Sequence, residues 1–472
     1  LPFSAWFKKF IRPRWGWWGG LRYIFPGFHP GLFGFEPGRV EGIKRIIWLG
    51  CFWLWGSLCG LFLKIGLNLI FIYADYENNT VAYFHFLWYA FVMAKRTISG
   101  KYVKCSGYEA FIPASLPPQI DWTGSLIRSL SDADRLIGQL SGQGKHLPNP
   151  HLLIRPFIKR EAVLSSRIEG TQATLGELLA NDAGAVVNRS PDDLREVGNY
   201  VAALDYGIQR LNTLPLSLRL VREIHEKLMD GVRGNFATPG QFRKTQNWIG
   251  PAGCTLQNAA YIPPSPDQLM ECLGTWEQFL YAQNIPPLVG AGLLHYQFEA
   301  IHPFLDGNGR VGRLLIILFL IERKVLTAPL LYISAFFEAT RREYYERLLA
   351  VSQASQWNLW IEYFLNGISR MSEDVLSRAE RINLLLEDWR KKVAGQKPKI
   401  LFQVIDLFAE NPYWNTKKLS ERLGVAFTTA QRAIGVLVEK KVLSQVDNAQ
   451  RDRMFCATRI MEILDQPPKI LH

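Results

Sequence analysis

The densest chemistry in the chain lies at His302–Arg313, HPFLDGNGRVGR. A histidine, an aspartate, an asparagine, glycines and two arginines fall where one apolar helical pattern (GLLHYQFEAI) ends and another (VGRLLIILFLIE) begins. Gly307 and Gly309 permit positive φ and bring no side chains, so consecutive backbone N–H groups can converge on one centre and hold phosphate oxygens. Arg310 and Arg313 add charge in a planar fork that fits phosphate. Asp306 would repel such a ligand unless it holds a divalent cation, and Mg2+ bridging carboxylate and phosphates resolves the conflict. His302 is placed to take a proton from an attacking hydroxyl. Gly307, Gly309 and Gly312 also satisfy GxGxxG, but a long helical pattern precedes them where a dinucleotide fold needs a short buried strand.

The elements that must position these residues read as mainly α. Ser190-Pro191-Asp192-Asp193 supplies an N-cap, a proline at the first helical position and an acidic first turn. Further helices are expected over Ser217–Met229, Pro266–Ala282, Leu288–Ile301, Gly312–Glu322, Thr340–Val351 and Leu359–Leu386. Residues 157–169 (FIKREAVLSSRIE) read as a helix closed by Gly170. The Gly/Pro-rich stretch 231–266 holds two short strand-like runs, Asn247-Trp248-Ile249 and Ala260-Tyr261-Ile262, which read as a small β-hairpin. The expected domains are 93–200 (N-terminal helical region), 201–389 (core), a linker over 390–399 (RKKVAGQKPK), and 400–465. In the last unit, helices at 400–409, 416–423 and 427–440 precede strands at 442–446 and 454–457. That is the order of a winged helix-turn-helix, with Thr428, Thr429, Gln431 and Arg432 facing outward.

Composition sets the bounds. The chain has 472 residues, 48% hydrophobic and 20% charged, which excludes a disordered, collagenous or small disulfide-built protein. Six scattered cysteines form no CxxC pair, so neither a zinc knuckle nor a disulfide framework is indicated. The net charge of +12 fits an acidic or nucleotide partner. Residues 1–92 stand apart as an apolar extension, with 26 aromatics and 8 of the 15 tryptophans. Residues 46–63 lack charge and are just long enough for a short membrane span, preceded by basic residues that would hold the N-terminus inside. The competing reading, preferred here, is that translation begins at Met93 and residues 1–92 are upstream sequence. The expected location is then cytoplasmic, with membrane attachment through 46–63 only if the extension is translated.

HPFLDGNGRVGR fits the Fic family motif HxFx(D/E)GNGRxxR at every fixed position, and the flanks PGQFRKTQNWIG, AAYIPPSP and REYYERLL also resemble the Fic core. The resemblance implies a protein adenylyltransferase that moves AMP from ATP to a Ser, Thr or Tyr hydroxyl. It implies His302 as general base and Asp306 on Mg2+. Gly307, Asn308, Gly309 and Arg310 would hold the α- and β-phosphates, Arg313 the γ-phosphate, and Tyr344 and Tyr345 would lie near the adenine. Trp248, Ile249, Tyr261 and Ile262 resemble the family's flap, which docks the target chain by strand addition.

Ser165-Ser166-Arg167-Ile168-Glu169-Gly170 fits the family's inhibitory motif (S/T)xxxE(G/N). Glu169 at a helix C-terminus gains from a cationic partner, and Arg313 is the expected one, which would block the γ-phosphate site. The implied partners are a protein target with an exposed hydroxyl, the chain itself as substrate, and a homodimer. Two alternatives stand beside this reading: a nucleotide-sensing regulator that binds DNA through the winged helix, and a Fic enzyme that removes AMP.

Overall fold

A computed structural model describes residues 72–75, 80–83, 99–146, 150–232, 238–251, 253–395, 398–446 and 453–469. The chain divides into units at 1–94 and 95–472. In the first, β1 (Ile72–Asp75) pairs antiparallel with β2 (Thr80–Tyr83). The membrane segment expected at 46–63 and the start expected at Met93 lie outside the described residues. No helix among the described residues is long and apolar enough to cross a membrane.

The second unit opens with a hairpin, β3 (Gly100–Cys105) and β4 (Tyr108–Pro113), closed by Ser106 and Gly107. Gly107 takes φ +87°, the left-handed geometry that a two-residue hairpin turn demands. Helices follow: α1 (Gly124–His146), α2 (Pro150–Ile168), α3 (Leu175–Asp182), α4 (Pro191–Arg210), α5 (Leu218–Leu228) and α6 (Pro266–Phe279). Next come α7 (Pro287–Ile301), α8 (Asn308–Glu322), α9 (Ser334–Ala339), α10 (Arg341–Ala354) and α11 (Trp357–Val393). The chain is mainly helical, as its periodicity predicts.

α7 and α8 are the centre of the core. Almost every residue of each is buried, the mark of helices apolar all round and covered on every side. Trp276 donates its indole N–H to the Leu294 carbonyl at 3.0 Å and Trp360 to that of Gly292 at 2.9 Å, so neighbouring helices grip α7 through its backbone. A Cβ on Gly292 would sit 3.0 Å from the Phe364 ring; glycine is what lets α11 pack so closely. The loop between α7 and α8 is thus held at both ends by rigid elements.

The C-terminal elements are α12 (Pro398–Glu410), β5 (Tyr413–Asn415), α13 (Thr416–Leu423), α14 (Phe427–Glu439), β6 (Ser444–Gln445), β7 (Met454–Cys456) and α15 (Thr458–Asp465), with sheet order β5-β7-β6. They do not hang from a free linker. α11 runs on to Val393 and α12 starts at Pro398, which leaves only 394–397 of the linker expected over 390–399. Arg160 of α2 donates to the Gln466 carbonyl at 2.7 Å, Lys418 to that of Asp182 at 2.8 Å, and Asn415 to that of Ala183 at 3.1 Å. α2 is also longer than expected, beginning at 150 with Pro156 inside it.

Candidate active site

α7 ends because His302 leaves helical geometry. It takes φ +50° and ψ +61° while its N–H still bonds the Phe298 carbonyl, a left-handed conformation that costs a non-glycine residue some strain. The turn puts the imidazole on the wall of a cavity of about 670 Å³, a volume suited to a nucleotide-sized ligand. His302 Nδ1 lies 3.2 Å from the Glu299 carbonyl. Because a carbonyl only accepts, Nδ1 carries the hydrogen and Nε2 is the basic nitrogen. Burial pushes the imidazole down to about 4, against the Glu299 carbonyl and with help from Arg243, so the ring is neutral at pH 7.

The loop after His302 is locked by its own backbone bonds. Asn308 spends its whole amide on Phe304, accepting from its N–H and donating to its carbonyl, each at 2.8 Å. Arg310 is fully buried against Glu196 at 3.5 Å and Asp306 at 3.5 Å. The Asn308 amide thus holds the loop, whereas buried Arg310 keeps Nε and Nη1 without a hydrogen-bond partner. Gly307, at φ +79°, caps α8, and the helix N-terminus behind it is the site where an anion gains most.

An anion already lies there. A Cβ on Gly309 would stand 2.2 Å from Glu169 Oε1, so the carboxylate rests directly against the first turn of α8. Arg313 Nη2 donates to the same oxygen at 2.6 Å, and Arg313 also donates through Nε to Ser165 Oγ at 2.8 Å and through Nη2 to the Ser165 carbonyl at 3.0 Å. Arg313 is buried, which opposes its charge, yet Glu169 outweighs that and raises its hold on the proton. Gly170, at φ +103°, turns the chain away immediately after.

The cavity brings together Glu169, Trp248, Ile249, Tyr261, His302, Gly309, Arg313, Tyr344 and Tyr345. Tyr344 is buried, with its hydroxyl 2.8 Å from His295 Nε2, while Tyr345 stays exposed at the rim under the Arg341 guanidinium. The hairpin expected around Ile249 is one antiparallel bridge: Ile249 and Tyr261 exchange both backbone bonds, at 2.9 and 3.1 Å. Ile262 is not on the cavity wall; its carbonyl accepts from Phe111 of β4 at 2.8 Å, so β3–β4 buttresses the flap.

Three residues here went unsingled by sequence reasoning. Arg243 is buried, and its guanidinium reaches the carbonyls of His302 (2.9 Å), Pro264 (2.5 Å), Thr245 (3.3 Å) and Ile301 (3.4 Å), tying flap base to the turn at His302. The signal available was its place in the flank PGQFR. Glu299 lines the cavity one turn before His302, and burial raises its carboxyl to about 8 despite Arg313, with Glu169 adding to the rise. His295 is pushed down to about 3 by burial and by Arg313.

Residues 215–320 match the family model described as Fic/DOC family, and 127–209 match the Fic/DOC family N-terminal model. The chain carries a Fic/DOC domain. The two matches take in α1 to α8, and with them the 302–313 loop and Glu169. Among curated relatives, proteins named Protein adenylyltransferase Fic from Drosophila willistoni and Drosophila grimshawi are 29% and 30% identical over 157 residues. The aligned stretch is 31% of this chain and spans 29% and 30% of those relatives, less than a third of their length. A solved Fic family protein from Desulfovibrio desulfuricans G20 shares the fold, with TM-score 0.50 at 20% identity over 72% of this chain and 98% of that one.

Proposed function

We propose that the chain is an autoinhibited protein adenylyltransferase, which moves AMP from ATP to a Ser, Thr or Tyr hydroxyl of a protein target. The observation that carries this is the convergence of His302, the α8 N-terminus and Arg313 on one cavity, with Glu169 lodged against both phosphate-holding groups. The name borne by the Drosophila relatives supports it.

The target hydroxyl oxygen attacks the α-phosphorus, its proton passes to His302 Nε2, the bond to the β-phosphate bridge oxygen breaks and pyrophosphate leaves. Neutral His302 is ready to accept that proton at pH 7. Main-chain N–H groups of Asn308 and Gly309 and the Arg313 fork stabilise phosphate charge. Tyr344 and Tyr345 flank the base, and the Ile249–Tyr261 bridge offers an edge on which an extended target segment is held beside His302.

Asp306 would hold Mg2+, which would neutralise phosphate charge when bound. Its side chain is 40% exposed, and among the described residues no group of three or more acidic, histidine or cysteine side chains is placed to bind a metal. A single loop carboxylate fits Mg2+, which commonly takes one or two carboxylates and completes its shell with phosphates and water.

Glu169 is the brake. While it grips Arg313 and faces Gly309, triphosphate meets a carboxylate where its own charge must sit. The test is intact mass after incubation with ATP and Mg2+ for the wild type, Glu169→Gly, and Glu169→Gly with His302→Ala, each alone and with a cell lysate as target. AMP addition with Glu169→Gly that the second substitution abolishes is expected. Equal addition with and without His302 would overturn the assignment of the base.

A further inference from the structure

We propose that His225 is a positioning residue for the phosphate-binding loop, a neutral imidazole locked in its Nε2–H tautomer that fixes the Asp306 carbonyl and so sets the Asp306–Gly307 peptide plane. The tautomer and its hold on Asp306 stand on geometry alone; the consequence for ATP rests on the nucleotide reading above.

His225, on α5, is fully buried. Its two ring nitrogens face backbone groups of opposite kind. The Gly240 N–H points at Nδ1 at 2.9 Å, and the Asp306 carbonyl lies 3.1 Å from Nε2. A backbone N–H only donates and a carbonyl only accepts, so Nδ1 must be bare and Nε2 must carry the hydrogen.

Three further contacts make this hold rigid. The His225 ring stacks on Phe304 with centroids 3.7 Å apart and planes within 3°, and Phe304 is the residue whose backbone Asn308 clamps. Arg222 donates to the Gly240 carbonyl at 2.7 Å, which fixes the donor that reads Nδ1. On Gly307 a Cβ would come within 3.0 Å of Met229 Sδ and 3.6 Å of His225 Nε2, so His225 and Met229 form the wall that only glycine tolerates.

The consequence follows from the planar trans peptide. Holding the Asp306 carbonyl toward His225 turns the Gly307 N–H of the same plane the opposite way, where it meets Asp306 Oδ1 at 2.6 Å. A flipped peptide would point a carbonyl where an N–H belongs, at the head of the helix that receives phosphate. The charged groups around the ring are Asp306 and Arg310 from the loop and α8, with Arg222 and Glu226 of its own helix beside Gly240.

The test has two arms. The full chain with 15N-labelled histidine is examined by long-range 1H–15N correlation at neutral pH, with His225→Gln identifying the signal. A bare Nδ1 and a protonated Nε2 are expected; a protonated Nδ1 overturns the proposal. In the Glu169→Gly background, ATP affinity is then measured by calorimetry for His225→Asn, which keeps an acceptor for Gly240, and His225→Gln, which keeps a donor for Asp306. Circular dichroism melts confirm that both fold. Asn is expected to weaken ATP binding about tenfold and Gln to restore it to within about threefold, the size of one hydrogen bond; equal losses overturn the positioning role. A Glu169→Gly parent that binds no ATP would overturn the nucleotide reading, while the histidine spectrum still decides the tautomer.

Discussion

Replacing Glu169 by glycine should make the free protein less stable and its nucleotide complex tighter. Arg313 is 1% exposed and Glu169 30% exposed in their 2.6 Å pair. A charge-assisted bond of this kind contributes about 1.5–3 kcal/mol, and the exposure of Glu169 argues for the lower end. Without Glu169 the buried guanidinium keeps its bonds to the Ser165 hydroxyl and carbonyl but loses the carboxylate paired with it. A loss of about 1.5 kcal/mol should lower the melting temperature by a few degrees. The same energy no longer opposes ATP, so Kd should fall about tenfold or more. The assay is thermal melting with and without saturating ATP and Mg2+, together with calorimetry. The reasoning predicts crossing behaviour: the variant melts below the wild type when free, and gains more from ATP. Equal ATP affinities in the two proteins would refute it, whatever happens to the melting temperature.

Acid should destabilise the fold through its dry histidines. His225, His295 and His302 lie at about 4, 3 and 4 in the folded chain against about 6.5 unfolded. The unfolded chain therefore binds the extra protons, and stability present above about pH 6.5 is lost as pH falls toward 4, at about 1.4 kcal/mol per pH unit for each histidine. Glu299, raised to about 8, acts in the opposite sense, its contribution present at low pH and lost as pH climbs to 8. Urea melts at pH 4.5, 5.5 and 6.5 should show the net acid loss, and a shallower slope in His225→Gln. Arg243→Lys cannot reproduce a fork that reaches four carbonyls, so in the Glu169→Gly background it should cut AMP transfer at least tenfold, as read by intact mass. Removing residues 398–472 takes away the contacts of Arg160, Asp182 and Ala183 with the C-terminal elements; hydrogen exchange across 157–170 should accelerate, and unchanged exchange would argue that α2 stands without them.

Much of the fold was legible because its helices carry strong apolar periodicity. α7, α8 and the C-terminal helices fall within a few residues of their expected bounds, and Gly424 ends α13 in the left-handed conformation that its residue type favours. The two-residue turn of β3–β4 was also readable, since Ser106-Gly107 sits between alternating strands, yet neither the hairpin nor α1 was anticipated. The site divides in the same way. Motif spacing singled out the residues of the 302–313 loop, whereas Arg243 and His225 reach that loop from elsewhere in the chain through carbonyl contacts that no local spacing encodes, and Glu299, one turn before His302, stands out only by the surroundings that raise its carboxyl. Asn308 shows the converse: its type fits phosphate chemistry, but in the folded loop its amide bonds the Phe304 backbone at 2.8 Å.

The most direct test of adenylyl transfer is the fate of the nucleotide's own atoms. The Glu169→Gly protein is incubated with a cell lysate and Mg2+ in parallel with ATP labelled at the α-phosphate and at the γ-phosphate, and protein-bound label is counted. The account predicts that α-label becomes covalently attached and γ-label does not, with attachment lost when His302→Ala is added. Retained γ-label, or α-label that persists without His302, would contradict it.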